Sequence, residues 1–172
     1  MRLSKPLCVL CFALACLILA LPVSPQQEKK PSPADGHTIH VLAPHKIDGK
    51  IMGPYHHYCK PVSDDVLECL IYESTDPNAL LKQVEYFVAK KVSRANVPLA
   101  TWNQFYHDHA VEIASGRVQV LDVSQAEAKK IADAAAQTDG IIFHLWWPDD
   151  AKAPSGVVKH PQSVGHQPLK HF

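Results

Sequence analysis

Excess charge of either sign is missing from this chain: 17 Lys and Arg stand against 17 Asp and Glu, with 11 His besides. A nucleic-acid partner calls for a basic stripe, and none is present. Also absent are zinc-finger spacing, Cys-x-x-Cys, His-Glu-x-x-His, Gly-x-Ser-x-Gly and a phosphate-binding loop. These absences remove the commoner zinc-finger, metalloprotease, serine-hydrolase and nucleotide-binding readings. No segment repeats. Cysteine is sparse, since Cys8, Cys11 and Cys16 fall in the apolar start and only Cys59 and Cys69 lie beyond it. The one long apolar run, residues 7–21, is closed by Pro22.

Residues 1–21 have the make-up of a secretory signal: Arg2 and Lys5 with no acid, then the apolar run, then a helix breaker. The run is shorter than the roughly 20 residues a spanning helix needs. Export to a periplasm or to the medium is the expectation. An uncleaved membrane anchor is one alternative. A lipoprotein cut between Ala15 and Cys16 is the other, weakened by Ala13 where a leucine is usual. Once the signal is removed, Cys59 and Cys69 are disulfide candidates in an oxidising compartment. Two small buried thiols are the other reading.

The length of 172 residues suits one domain plus extensions. Residues 22–50, rich in Pro, Gln, Lys and Ser, read as a flexible linker. Residues 51–150 read as the folded domain and 151–172 as a Pro- and His-rich tail. Within the domain, 55–59 and 66–72 read as strands about a turn at Asp64, which sets Cys59 opposite Cys69 and His57 opposite Ile71. Asp76-Pro77 reads as a helix start. Leu80, Leu81, Val84, Phe87, Val88 and Val92 then recur at helical spacing. Residues 105–114 and 118–123 alternate as strands about Ser115-Gly116. Ser124 with Glu127 opens a second helix, Gly140 ends it, and 141–147 form a last buried strand. The expected fold class is α+β, an antiparallel sheet with two helices packed on one face. The element order permits a ferredoxin-like βαββαβ sandwich with an extra N-terminal strand.

Alternate side chains share a face of a strand, so His107 and His109 point together, as do His57 and Cys59. Imidazole and thiolate are ligands for divalent transition metals. His57, His107, His109 and Cys59 therefore form a candidate metal set. His56, Glu85, Glu112 and His144 are candidates for holding a small polar ligand. Glu85 lies on the flank of the first helical stripe, Glu112 faces away from His109, and His144 sits between Ile142 and Trp146. A cupin-type motif is excluded because the spacing is short and the preceding glycine is missing. Singly, each histidine reads more readily as a hydrogen-bonded core residue, and only as a group do they point to a site. His37, His40, His45, His160, His166 and His171 fall in coil and read as solvent-facing.

Four stretches in order carry a resemblance. They are His56-His57-Tyr58-Cys59, then Glu68-Cys69-Leu70-Ile71-Tyr72-Glu73-Ser74, then Glu85-Tyr86, then His107-Asp108-His109-Ala110-Val111-Glu112 with Ser115-Gly116. Over residues 55–147 the chain resembles the oil-body-associated proteins, a family named from plants with bacterial and fungal relatives; this chain would be an exported, bacterial-type member. It departs in having Tyr106 where the family's tryptophan precedes the first His, and Trp146-Trp147-Pro148-Asp149-Asp150 in place of the usual final stretch. The family's cytosolic members carry both cysteines, which implies that the fold does not require a bridge between them. The resemblance supports positions and supplies no reaction.

Two principal readings stand open. The first is an exported domain binding a metal or small ligand through the histidines, with a divalent transition metal as the cofactor that suits the donors. The second is a non-enzymatic protein of a lipid or envelope surface, its histidines structural and Trp146 and Trp147 giving apolar contact. A hydrolase using Glu85 or Glu112 as acid–base is a third. Reaction and oligomeric state are unspecified.

Overall fold

In the computed structural model, residues 32–172 are described. The expected signal at 1–21, with Cys8, Cys11 and Cys16, lies outside the described residues. After a 3-10 turn at Pro33–Gly36, the chain runs β1 (Ile39–Ile47), β2 (Lys50–Ser63), β3 (Val66–Tyr72) and β4 (Leu81–Ala89). Then come α1 (Lys90–Asn96), α2 (Leu99–Phe105), β5 (Tyr106–Asp108), α3 (His109–Ala114) and β6 (Gln119–Leu121). The last elements are α4 (Gln125–Ala135), β7 (Thr138–His144) and β8 (Gln162–Ser163).

The strands form one eight-stranded sheet in the order β5-β7-β4-β3-β2-β1-β6, with β8 on β1, and every pairing is antiparallel. This corrects the expected α+β class. The sheet curls into a half-barrel with few helices, and among the described residues no pair of helices packs across it in a ferredoxin-like way. The decisive difference is β4. Its stretch carries apolar residues at helical spacing, yet Val84, Tyr86, Phe87 and Val88 are the β-branched and aromatic types that suit a pleated surface. Asp76 caps only a turn, its Oδ1 accepting from the Asn78 N–H at 2.7 Å. Packing between β3 and β7 decides for strand, and within residues 76–96 only Lys90–Asn96 is helical.

Three further boundaries moved. Residues 39–47, placed by composition in a linker, form β1 inside the sheet. The expected strand at 105–114 stops after Asp108, whose side chain accepts from the Ala110 N–H at 2.8 Å and starts α3. The tail contributes β8, which pairs with β1 and lies beside β5. By contrast, β3 spans the expected residues, Ser124 caps α4, and the register places Cys59 opposite Cys69 and His57 opposite Ile71.

One face of the sheet is the core face. It carries Val41, Ala43 and Ile47 of β1, Tyr55 and Cys59 of β2, Cys69 and Ile71 of β3, Phe87 of β4 and Ile142 of β7. Ile131, Ala132 and Ala135 of α4 lean over it. A buried anchor fixes the edge next to the site. Asp139 accepts from Arg94 Nε and Nη2, Ser93 Oγ and Trp102 Nε1, while Arg94 also reaches Asp108 at 2.8 Å. That network holds α1, α2 and β5 against β7.

Candidate metal centre

The buried face of β4 presents Gln83, Glu85 and Phe87 in sequence. A carboxylate in that position costs several kcal/mol unless charge and hydrogen bonds compensate it. Imidazoles do so from three elements. His57 on β2 brings Nε2 within 3.5 Å of Glu85 Oε2. His107 on β5 and His109, the first residue of α3, bring their Nε2 atoms within 3.1 and 3.2 Å of Oε1. His45 on β1 joins the group, its Nε2 lying 3.0 Å from His57 Nε2. None of the five side chains is more than 2% exposed.

The local sequence explains the convergence. His107 and His109 do not share a strand face, because the Asp108 cap turns the chain into α3 between them; their rings meet edge-on with centroids 4.8 Å apart. Gly140 faces His107 across β5 and β7, and a Cβ at that position would collide with the His107 ring and the Glu85 carboxylate.

The outer ring nitrogens show how each imidazole is set. His57 Nδ1 donates to the Tyr55 carbonyl at 3.1 Å. His109 Nδ1 donates to Thr138 Oγ1 at 2.8 Å, since that hydroxyl gives its own hydrogen to the Ala135 carbonyl. His45 is set by a longer chain. His144 Nε2 donates to Asp150, Gln83 Nε2 lies 3.5 Å from the remaining nitrogen of His144, and Gln83 Oε1 accepts from His45 Nδ1. In their neutral forms His45, His57 and His109 therefore aim Nε2 lone pairs inward. Metal-binding histidines are oriented by such outer partners. His107 differs, for its Nδ1 is buried with no hydrogen-bond partner among the described residues.

Burial and the neighbouring His57 hold the His45 pKa down to about 3. Burial also lowers that of His57. Burial alone would raise the Glu85 carboxyl, but hydrogen bonding from His107 and His109 outweighs it and keeps the group well below its usual value. A donating His109 Nε2 requires a doubly protonated ring, because Nδ1–H is committed to Thr138. A proton there occupies the position that a metal ion would take. Glu112 stands at the rim, 3.9 and 4.0 Å from the His107 and His109 Nε2 atoms. Burial pushes its carboxyl up to about 7, with His107 opposing and Glu85 adding to the rise.

Of the expected site residues, the fold thus unites His57, Glu85, His107 and His109, with Glu112 beside them. His144 is one step removed and acts through Gln83. Cys59 is outside the cluster, because its sulfur is bonded to Cys69 and offers no thiolate. His56 is on the opposite face, its Nδ1 2.9 Å from His40 Nε2, while His40 Nδ1 reaches Asp122. His45 is the residue that sequence reading misplaced. The available signal was the alternation Val41-Ala43-His45-Ile47, hidden by the polar stretch before it. His37 and His40, also read as solvent-facing, are buried too.

A family model described as a protein of unknown function, DUF1264, matches residues 32–166. The chain belongs to the DUF1264 family. All five residues of the cluster fall within the matched span. Among similar proteins, Oil body-associated protein 1B of Arabidopsis thaliana is 34% identical over 55% of this chain and 38% of its own length. Oil body-associated protein 2A of Zea mays is 29% identical over 77% of this chain and 52% of its own. The chain spans about half or less of the length of these relatives. No solved structure matches it significantly. The family is uncharacterised, so the reading of this member's site rests on its own geometry.

Proposed function

We propose that this DUF1264 domain binds a divalent transition metal between Glu85 and the imidazoles of His45, His57, His107 and His109. The observation that carries the reading is the 3.0 Å separation of His45 Nε2 and His57 Nε2, each ring's other nitrogen being engaged as a donor. Two lone pairs aimed at each other beside a carboxylate repel unless a cation lies among them. A proton fits poorly, because burial keeps both rings neutral. Imidazole with carboxylate suits zinc, copper, iron or nickel.

Elemental analysis of purified full-length protein after incubation with zinc or cobalt tests this. At least one ion per chain is expected, with a loss of ten-fold or more in affinity for His107→Ala and His109→Ala. A folded wild-type chain that retains no more metal than Glu85→Gln would overturn it.

Export is a second part of the reading, supported by Arg2, Lys5 and the apolar run 7–21. Mass spectrometry of secreted or periplasmic protein should place the N-terminus between Leu21 and Gln27; recovery with Met1 intact from the cytoplasm argues against it. Attachment to a lipid or envelope surface is the alternative role. The exposed Trp146, Val157 and Val158 favour it, as does the association with oil bodies for which the plant relatives are named.

A further inference from the structure

We infer that the centre is dinuclear, with the Glu85 carboxylate bridging two divalent ions; this rests on the metal-binding reading above. The donors fall into two trios that share only Glu85, one with His45 and His57 and the other with His107 and His109. Inside each trio every donor atom lies within 4.8 Å of the others. Donors on opposite sides of a single ion are separated by at most about 4.2 Å, twice a metal–nitrogen bond of roughly 2.1 Å. Each trio is therefore compact enough to close on its own ion with small adjustments. The five donors together do not form one such group.

The carboxylate divides in the same way. His57 faces Oε2 at 3.5 Å, while His107 and His109 face Oε1 at 3.1 and 3.2 Å. A carboxylate that turns one oxygen to His57 and the other to His107 and His109 suits two-metal sites, whose ions stand about 3.5–4 Å apart. The two halves are also oriented independently. Tyr55 and the Gln83–His144–Asp150 chain set the first, and Thr138 sets the second.

Two divalent ions bring four positive charges into a buried site. Glu85 offsets one, and Glu112, beside His107 and His109, is placed to offset another. Of the two charges left, a small oxygen anion taken from solvent, such as hydroxide, would offset one. Glu85, Glu112, His57 and His109 form the polar end of a narrow, otherwise apolar cavity of about 20 Å³, room for one small species of that kind.

The test uses full-length protein stripped with chelator and titrated with cobalt(II), bound ion being counted by elemental analysis and visible absorption. Two equivalents per chain are expected. The electron paramagnetic resonance signal per ion should weaken as the second equivalent binds, because the bridge couples the two. His45→Gln and His109→Gln should each retain one equivalent. Saturation of the folded wild type at one equivalent overturns the dinuclear inference and leaves the metal-binding reading standing, whereas no bound cobalt overturns both. Two equivalents persisting in His45→Gln would put the second ion elsewhere and also overturn the inference. If a variant fails to fold, the wild-type stoichiometry and spin coupling decide alone.

Discussion

Gly140 lies directly against both the His107 ring and the Glu85 carboxylate, so that a single methyl group at its Cα would occupy the space where the two meet. The position is on β7, opposite Phe87 of β4 on one side and His107 of β5 on the other. Gly140→Ala should push His107 away from Glu85. Overpacking of this kind costs about 1–3 kcal/mol. The expected outcome is a chain that still folds, melts several degrees lower and binds metal at least ten-fold more weakly. Wild-type affinity in Gly140→Ala would show that the His107–Glu85 contact is dispensable.

Thr138 should matter through orientation. Its hydroxyl accepts from His109 Nδ1 and donates to the Ala135 carbonyl, so Thr138→Val removes the acceptor with little change of shape. Loss of an outer partner typically lowers metal affinity about 10- to 100-fold. Leaving a buried imidazole N–H unpaired costs about 1–3 kcal/mol besides. Calorimetric titration with zinc, alongside thermal melts of Thr138→Val and Thr138→Ser, checks both effects. Thr138→Ser should restore most of the affinity.

The metal-free protein should respond to pH in two opposed ways. The His45 pKa is lowered from 6.5 to about 3, so the folded chain refuses a proton that the unfolded chain accepts. Its contribution to stability is present above about 6.5 and is lost as pH falls from there toward about 3. Glu112 runs in the other direction. Its pKa is raised from 4.5 to about 7, so stability is present below 4.5 and lost as pH rises through that window. Melting curves in chelator should show the wild type losing ground to His45→Gln on acidification and to Glu112→Gln as pH approaches neutrality. Parallel curves for the wild type and both variants would contradict the assignments.

The Cys59–Cys69 bridge joins directly opposed residues of β2 and β3, ten positions apart in sequence. So short a loop stabilises by about 2–3 kcal/mol on the loop-entropy model. Reduction, or Cys59→Ser with Cys69→Ser, should lower the melting temperature and leave metal content unchanged, because neither sulfur belongs to either donor trio. Alkylation of two thiols in native protein without reductant would refute the bridge.

Much of this molecule was readable locally. The turn at Asp64 set the β2–β3 register, and with it the Cys59–Cys69 and His57–Ile71 pairs, because hairpin partners are a matter of counting. The Ser124 cap marked α4 for the same reason, since its partner is three residues away. That His57, Glu85, His107 and His109 are potential donors was visible in the chain itself. What the chain alone left open was every feature that depends on a distant neighbour. Residues 81–89 satisfy helical spacing and strand composition together, and only β3 and β7 on either side decide for a strand. That decision turns Glu85 from a helix flank into the buried middle of a sheet. Asp108 ends β5 early, so His107 and His109 meet at Glu85 Oε1 by a change of element instead of by strand alternation. His45 sits in a polar stretch that looks like linker and becomes a ligand candidate only because β1 pairs with β2 and carries it to His57. Spacing along the chain determined which donors exist, and pairing between strands far apart in sequence decided which of them face one another.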